Sequence, residues 1–253
     1  WHLLHNILPS PYAEMGFEIS VGDNDDGISR DINLHWNPIS TDNNWNNPTE
    51  HGVLSFTFNH LKAYYPLDGN GDEVQNGLHA TTYENTFADF DRFGNNSGAL
   101  NFADSSANFY MGSGLNLINS ASEFSLLAWV NPNNVSVEGS NMLQTIISES
   151  EGGNNFQFGI FDNALRFTVY DGGTRHDYTS NYNLIQAGLW QMVSVTYKFD
   201  TVRFYYNNIL IDEIHAPFNM DSTAAMLRIG SAAVGSDLFF GKLDEIFIYD
   251  RAL

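Results

Sequence analysis

Asp68, Asn70 and Asp72 alternate along a short polar stretch, so three oxygen-bearing side chains lie within five residues. Carboxylate and amide oxygens are the ligands that hard cations such as Ca²⁺ prefer. An EF-hand loop begins in the same way, but it requires Gly at its sixth position and an acid at its twelfth, where this chain has Glu73 and His79. The spacing therefore favours a calcium site of another kind. The alternative is that Asp68 and Asp72 cap a turn through hydrogen bonds to the backbone.

The balance of acidic and basic residues excludes some classes of binding partner. The 253 residues carry 30 acidic and 10 basic side chains, a formal net charge of -20. Such a surface repels nucleic acid and anionic membrane, and it favours cations or simply keeps the protein soluble. Cysteine is absent, which excludes a disulfide scaffold and a thiolate metal site. Apolar runs are too short for the roughly 18–20 residues of a membrane span, so we expect no membrane insertion.

Catalytic motifs are missing from the sequence. It contains no Gly-x-Ser-x-Gly elbow, no His-Glu-x-x-His pair and no Glu-x-Asp-x-x-Glu strand, and Glu149, Glu151, Asp244 and Glu245 do not reproduce the last of these. Retaining glycosidases need two carboxylates about 5–5.5 Å apart. We therefore expect a protein that is not an enzyme.

Aromatic residues offer two kinds of candidate. Trp129 and Trp190 stand within apolar strand patterns, which predicts that they are core residues. Four others stand nearer to strand ends or loops, where a ring can stack on a sugar or cover the sheet: Tyr110, Phe156, His176 and Tyr178.

Strand patterns dominate, and helical periodicity is limited to 3–8 and 220–226, which are long enough for a turn or two. Asn207-Asn208 and Asp162-Asn163 each separate two β-rich runs, as in a two-residue hairpin, and Asp171-Gly172-Gly173 marks a further turn. Short strands with turns between them predict an all-β, antiparallel sandwich. A seam near 58–61 divides the chain into segments 1–58 and 59–253.

The second segment, 59–253, resembles the laminin-G-like, concanavalin A-type jelly-roll domains. The motifs that carry this resemblance follow one another in the family's order: Tyr64-Tyr-Pro-Leu-Asp68-Gly-Asn70-Gly-Asp72, Ala99-Leu-Asn-Phe102, Phe124-Ser-Leu-Leu-Ala-Trp129, Gly188-Leu-Trp190 and Gly241-Lys-Leu-Asp244-Glu. The resemblance implies a jelly-roll β-sandwich that binds ligands without catalysis. It also implies that the first and last strands lie side by side, which brings Asp244 towards the Asp68–Asp72 loop. The expected structural calcium ligands are then Asp68, Asn70, Asp72 and Asp244.

The first segment, 1–58, resembles the C-terminal part of a family 9 carbohydrate-binding module. The resemblance is carried by Met15-Gly16-Phe17-Glu18, the acidic stretch 23–27, Leu34-His-Trp36 and, most distinctively, Asn43-Asn44-Trp45-Asn-Asn-Pro48. In that family a tryptophan of this last loop clamps a sugar, so the resemblance implies that Trp45 contacts carbohydrate. Packing of Trp45 within the protein is the alternative.

Together these features predict a non-catalytic, carbohydrate- or glycan-binding region of a larger, secreted or cell-surface, multidomain bacterial protein. The chain stops directly after its last strand pattern, which we interpret as the edge of a piece of a longer protein. The expected partners are a polysaccharide or the glycan of a glycoprotein, together with other domains or subunits of a surface assembly, and no nucleic acid. The alternative function is an adhesion, fibre or scaffold module with no role in glycan binding.

Overall fold

The computed structural model describes four short strands before residue 60 and most of the chain after it. Those strands are β1 (Glu14–Phe17), β2 (Ser20–Asp23), β3 (Ile32–His35) and β4 (Gly52–Ser55). Residues 60–253 are described apart from 103–107, 114–115, 119–120, 136–142, 152–154 and 234–235. Trp45 and the predicted helical turn at 3–8 lie outside the described residues.

The chain divides into two compact units, Trp1–Asn59 and His60–Leu253. In the first unit β1 pairs with β4 and β2 pairs with β3, both antiparallel. The second unit contains fifteen described strands in two antiparallel sheets.

The first of these sheets, sheet I, has eight strands. In spatial order they are β17 (Ile209–His215), β16 (Thr201–Tyr206), β15 (Gln191–Lys198), β10 (Glu123–Pro132), β19 (Gly241–Tyr249), β8 (Ala99–Phe102) and β7 (Phe87–Asp89). The eighth strand, β5 (Leu61–Tyr65), pairs with the second half of β19. The first and last strands of this unit are therefore neighbours.

The second sheet, sheet II, has seven strands. In spatial order they are β14 (Thr174–Thr179), β13 (Ala164–Asp171), β12 (Phe156–Phe161), β11 (Gln144–Glu151), β18 (Met226–Ile229), β9 (Asn108–Ser113) and β6 (Thr82–Glu84). The prediction of an all-β antiparallel sandwich is confirmed, since the described residues contain strands and loops but no helix.

The core lies between the two sheets and is built by alternation along each strand. In β10 the buried residues Leu126, Ala128 and Val130 alternate with more exposed ones, so one face of the strand is apolar. The rings of Phe124 from sheet I and Phe167 from sheet II lie 5.3 Å apart between their centroids. Direct ring contact between strands of different sheets shows that the inner faces pack on each other.

The predicted hairpin turns occur, because Asp162, Asn163, Asn207 and Asn208 all have positive φ, as tight two-residue turns require. The predicted helical turn at 220–226 is wrong: 220–225 is irregular and Met226 begins β18. Within the described part of the chain, no helix could span a lipid bilayer.

The prediction that Trp129 and Trp190 are core residues is also wrong. Trp129 lies between the buried residues Ala128 and Val130, so its ring points to the outer face of sheet I. Trp190 precedes β15 and is half-buried. Neither ring belongs to the core cluster. An apolar strand pattern identifies the strand, but it does not identify the face on which each large ring lies.

Candidate functional site

The loop after β5 is organised by a buried carboxylate, Glu73. Its two oxygens accept hydrogen bonds from the backbone N–H groups of Tyr64, Gln75, Asn76 and Leu78, at 2.8, 2.7, 2.6 and 3.2 Å. Glu73 is only 2% exposed. A buried carboxylate needs such partners, since its desolvation is otherwise costly. Glu73 excludes an EF-hand in the sequence, but no sequence pattern indicates that it anchors this loop.

The predicted calcium ligands of this loop point to different neighbours. The Asn70 side-chain oxygen accepts a hydrogen bond from the Asp72 backbone N–H at 2.8 Å, which is an Asx turn. The Asp72 carboxylate lies 3.5 Å from His79 Nδ1 and is exposed. Asp68 is exposed and raises the pKa values of Asp244 and Glu245 through its charge, so it lies on the side of the loop that faces β19.

Asp244 and Glu245 sit together because β19 contains a β-bulge. The register against β10 shifts between Leu127 and Trp129, and Glu245 has a φ of 53°. The Glu245 N–H donates to the Pro66 carbonyl at 3.3 Å, and the Tyr64 hydroxyl donates to Glu245 Oε2 at 2.6 Å. The bulge therefore ties β19 to the end of β5 and directs two adjacent carboxylates to the outer face of sheet I.

Arg92 supplies the positive charge for these carboxylates. Its Nη1 atom lies 2.5 Å from Asp244 Oδ2, and Nη2 lies 3.7 Å from Glu245 Oε1. Its guanidinium carbon lies 4.8 Å from the centroid of the Trp129 ring, a cation–π distance. Asp91 holds the turn that presents Arg92, because Asp91 Oδ1 accepts the N–H groups of Phe93 and Asn95, both at 2.8 Å.

Three of the acid groups near Arg92 have raised pKa values. Burial raises the pKa of Asp244 to about 8, and Glu245 adds to the rise while Arg92 opposes it. Burial also raises the pKa of Glu245, although hydrogen bonds from Tyr64 and the charge of Arg92 lower it. The pKa of Asp68 is raised by burial and by Asp91. We call Asp68, Asp91, Asp244, Glu245 and Arg92 the Arg92 cluster.

As arranged, the four predicted ligands do not form one coordination sphere. Among the described residues, no group of three or more His, Asp or Glu side chains could hold a metal ion. Asn70 is engaged in its Asx turn, Asp72 faces His79, and Asp244 is paired with Arg92. The calcium site predicted from the sequence stays a prediction.

A second group of polar residues lies on the outer face of sheet II. Residues directly opposite each other in antiparallel strands share a face. One such row crosses six strands from β9 to β14, and its members are Tyr110, Arg228, Ser148, Gln157, Thr168 and Asp177. We call this the polar row. The polar row is not among the sites predicted from the sequence, although polar residues at alternate positions of these strands indicate it.

Asp177 is the centre of an ion-pair network at one end of the polar row. It accepts a hydrogen bond from the Thr168 hydroxyl at 2.6 Å and one from Arg175 Nε at 2.9 Å. Arg166 Nη1 lies 4.0 Å from the second Asp177 oxygen, and its Nε donates to the Thr179 hydroxyl at 2.7 Å. Burial raises the pKa of Asp177, but these hydrogen bonds and charges outweigh it and hold that pKa below its usual range.

Arginine is concentrated on this face. Of the 10 Lys and Arg residues in the chain, Arg166, Arg175 and Arg228 lie here. Arg166 lies over the Phe161 ring, 3.2 Å from its centroid, and Arg228 lies 5.2 Å from the Tyr110 centroid. A planar guanidinium group offers several fixed N–H donors. Of the three, Arg175 is the accessible one, with 45% of its side chain exposed, whereas Arg166 is 14% exposed and Arg228 is buried.

The predicted sugar-stacking aromatics fall in different places. Tyr110 lies on the polar row and is half-buried. Phe156 is fully buried in the core and is unavailable to a ligand. His176 and Tyr178 lie opposite the core residues Val169 and Phe167, so they are on the inner face of the edge strand β14. The prediction for Trp45 concerns a residue outside the described part of the chain.

Comparisons with known proteins agree with this architecture. The family model described as the concanavalin A-like lectin/glucanases superfamily matches residues 96–253. No curated protein matches the chain. Among solved structures, the chain is similar to domain 4 of an extracellular GH43 arabinanase from Geobacillus stearothermophilus in complex with arabinotriose. The identity is 17%, the TM-score is 0.56, and the match covers 77% of this chain and 94% of that domain.

Two toxins share the fold as well. The binding domain of Paraclostridial Mosquitocidal Protein 1 matches with 15% identity and a TM-score of 0.59, over 77% of this chain and 49% of that chain. Botulinum neurotoxin type C, which depends on interaction with two ganglioside molecules to enter cells, matches with 17% identity and a TM-score of 0.53, over 76% of this chain and 47% of that chain. At these identities the likeness concerns the fold.

The Arg92 cluster predicts a large loss of stability when its cation is removed. In Arg92→Met we expect the free energy of unfolding to fall by about 3 kcal/mol, because Asp244 and Glu245 then remain partly buried without a counter-charge. Denaturant unfolding at about pH 9, above the pKa of Asp244, measures this loss. The matched control is Arg203→Met, which breaks the exposed pair with Glu213 and should cost less than about 1 kcal/mol. Equal losses in the two variants would contradict the role given to Arg92.

Proposed function

Because this chain belongs to the concanavalin A-like lectin/glucanases superfamily, we propose that residues 60–253 form a non-catalytic carbohydrate-binding domain. We place the sugar on the outer face of sheet II at the Asp177 network, where the polar row ends and becomes accessible. The single observation that carries this assignment is the accessible ion pair of Arg175 and Asp177, which lies beside Arg166 and the Phe161 ring.

The chemistry of this face suits a polyhydroxylated ligand. Arg175 is 45% exposed and Asp177 is 36% exposed, so both ends of their ion pair are accessible. A guanidinium donates and a carboxylate accepts, which matches hydroxyl groups that do both. The half-buried ring of Phe161, over which Arg166 lies, gives apolar surface beside these polar groups, as expected for a site with a few precisely placed hydrogen-bonding side chains.

Binding without hydrolysis is supported by the acid groups of the face. Among the described strand side chains on the outer face of sheet II, Asp177 is the one carboxylate, and its hydrogen bonds stabilise its charged form. Asp237, which precedes β19, interacts electrostatically with Arg175 but belongs to no strand of this sheet. A glycosidase requires a second carboxylate across the scissile bond. Glu149 does not supply it, since it is buried on the inner face opposite Phe156.

The relatives support a glycan partner and an extracellular setting. The arabinanase domain is in complex with arabinotriose and comes from an extracellular enzyme, and the neurotoxin interacts with gangliosides. We propose accordingly that this chain is a glycan-binding region of a secreted or cell-surface multidomain protein. Its first unit, with Trp45 as the sugar contact, is proposed on its resemblance to a family 9 carbohydrate-binding module alone.

The test of the sheet II site is binding to insoluble and soluble polysaccharides, measured by retardation in affinity gels that contain arabinan, xylan or pectin. We expect retardation by at least one of them and a loss of about tenfold or more in Arg175→Ala, because the sugar then loses a charged donor. The matched control is Arg203→Ala, which removes a similar arginine–carboxylate pair from sheet I and should leave retardation unchanged. Equal effects of the two variants would refute the assignment to sheet II.

The same gels test the first unit through Trp45→Ala, which should weaken binding when the two units contact one polymer together. Unchanged retardation would remove Trp45 from the site. Failure of the intact chain to bind any polysaccharide or glycan on an array would instead favour the adhesion or scaffold function.

Calcium is tested separately, by thermal unfolding in EDTA and in millimolar CaCl₂. The calcium site predicted from the sequence remains a proposal, and it requires a higher melting temperature in CaCl₂ than in EDTA; an unchanged melting temperature would overturn it. Bound calcium would raise the melting temperature by linkage. A rise that Asp68→Asn and Asp244→Asn both abolish would establish the site predicted from the sequence.

A further inference from the structure

One two-residue turn of sheet I contains a residue type that does not suit the positive φ of its backbone. Four two-residue turns among the described residues place both members at positive φ: Asp162–Asn163 (48°, 67°), Gly172–Gly173 (57°, 77°), Asn207–Asn208 (48°, 64°) and Phe199–Asp200 (52°, 53°). Gly, Asn and Asp tolerate this left-handed region. Phe199 does not, because its Cβ is crowded there and its side chain cannot hydrogen-bond the backbone.

The Phe199 ring is not buried, so packing of the ring does not offset the cost of this backbone conformation. The side chain is 82% exposed, more than any other large hydrophobic side chain in the described part of the chain. The ring lies beside Lys198, whose Nζ is 5.1 Å from the ring centroid. An aromatic ring that is both strained and exposed contributes little to folding, and such residues concentrate at functional sites.

A cavity of about 610 Å³ opens beside this turn. Its size is within the range of ligand-binding pockets, roughly 300–1,000 Å³. The apolar part of its lining is formed by Phe124, Tyr197, Phe199 and Phe218. None of its lining residues belongs to a strand of sheet II, so the cavity is separate from the polar row.

The floor of the cavity is rigid. The rings of Tyr197 and Phe218 stack with centroids 4.3 Å apart, and Tyr197 also stacks on the buried ring of Phe124 at 5.5 Å. The segment that carries Phe218 is fixed to the β13–β14 turn, because Asp221 accepts the N–H groups of Gly172 and Gly173, both at 2.8 Å. The cavity is therefore preformed.

Polar groups stand at the rim above this floor. The Tyr197 hydroxyl donates to Asp200 Oδ1 at 3.2 Å, which orients that carboxylate, and the side chains of Ser122 and Asn219 are exposed beside the cavity. A carboxylate acceptor disfavours an anionic ligand, as does the net charge of -20. An entirely apolar ligand would leave these groups unpaired. A neutral ring with C–H faces and hydroxyl edges satisfies both the aromatic and the polar lining.

We propose that Phe199 and this cavity form a second carbohydrate site, in which the Phe199 ring stacks on a neutral sugar while Asp200 and Asn219 bind its hydroxyl groups. The proposal extends the proposed function, on which it rests for the class of ligand. Two sites on separate surfaces would let one domain hold two chains, or two points of one branched chain, with gain in avidity.

The experiment is an NMR titration of the ¹⁵N-labelled full chain with arabinotriose, xylotriose and cellotriose. We expect at least one of them to shift the backbone amides of Asp200 and Asn219. Phe199→Asn should weaken binding at these amides at least tenfold and leave any shifts of Thr168 and Asp177 on sheet II unchanged. Its melting temperature should be equal or higher, because Asn suits the left-handed turn, as Asn207 does. The control is Phe90→Asn, which removes another exposed ring, 54% exposed, from the opposite side of sheet I and should change neither property.

The outcomes separate this proposal from the proposed function. Shifts on sheet II without shifts at Asp200 and Asn219 would overturn the second site alone. No shift at either place would overturn both proposals. Unchanged binding in Phe199→Asn, or a lower melting temperature, would show that the ring serves the fold and would also overturn the second site.

Discussion

The arrangement of residues 60–253 depends on β19 and on the two carboxylates that the bulge of β19 directs to the outer face of sheet I. β19 pairs with β10 along one edge and with β8 and then β5 along the other, so it joins the two ends of the unit within sheet I. At its start β19 approaches β10 so closely that a side chain at Gly241 would clash with the Asn131 carbonyl, since a Cβ would lie 2.3 Å from that oxygen. Three and four residues later, the bulge places Asp244 and Glu245 on the same face, and two carboxylates in that position require a cation. Arg92 provides it, and the turn that carries Arg92 must therefore fold over this face.

Because the turn that carries Arg92 covers part of sheet I, the outer faces of the two sheets differ. Sheet I is covered near β19 by the loop that carries Arg92 and, at the start of β10, by the end of the chain. There the Ser125 hydroxyl donates to the Arg251 carbonyl and accepts the Leu253 N–H. The ring of Tyr64 also stacks on Phe247, with centroids 4.4 Å apart. On sheet II most of the polar row is buried, and the face is accessible where the row ends, at the ion pair of Arg175 and Asp177.

The sequence predicted the class of fold and the hairpins at Asn163 and Asn208, because alternation and turn chemistry are local signals. The adjacency of the first and last strands was implied by the resemblance to laminin-G-like domains. It did not predict Arg92 as the partner of Asp244, since a pairing across 152 residues leaves no local pattern. The prediction that Trp129 is a core residue was wrong for a related reason. A long apolar strand in a sheet whose outer face is covered loses the clean alternation that identifies the inner face. The polar row needed the registers of six strands, which the sequence does not provide.

The few basic residues of this chain of net charge -20 are distributed differently over the two sheets. On sheet I bases are matched to specific acids, as in Lys62–Asp250, Lys242–Asp89 and Lys198–Glu123. On the outer face of sheet II, Arg166 and Arg175 share the carboxylate of Asp177, and Asp237 also interacts electrostatically with Arg175. At physiological ionic strength, acids farther away than about 8 Å are screened. Contact chemistry at this end of the face is therefore set by these neighbouring groups, and the net charge of the whole molecule has little influence on it.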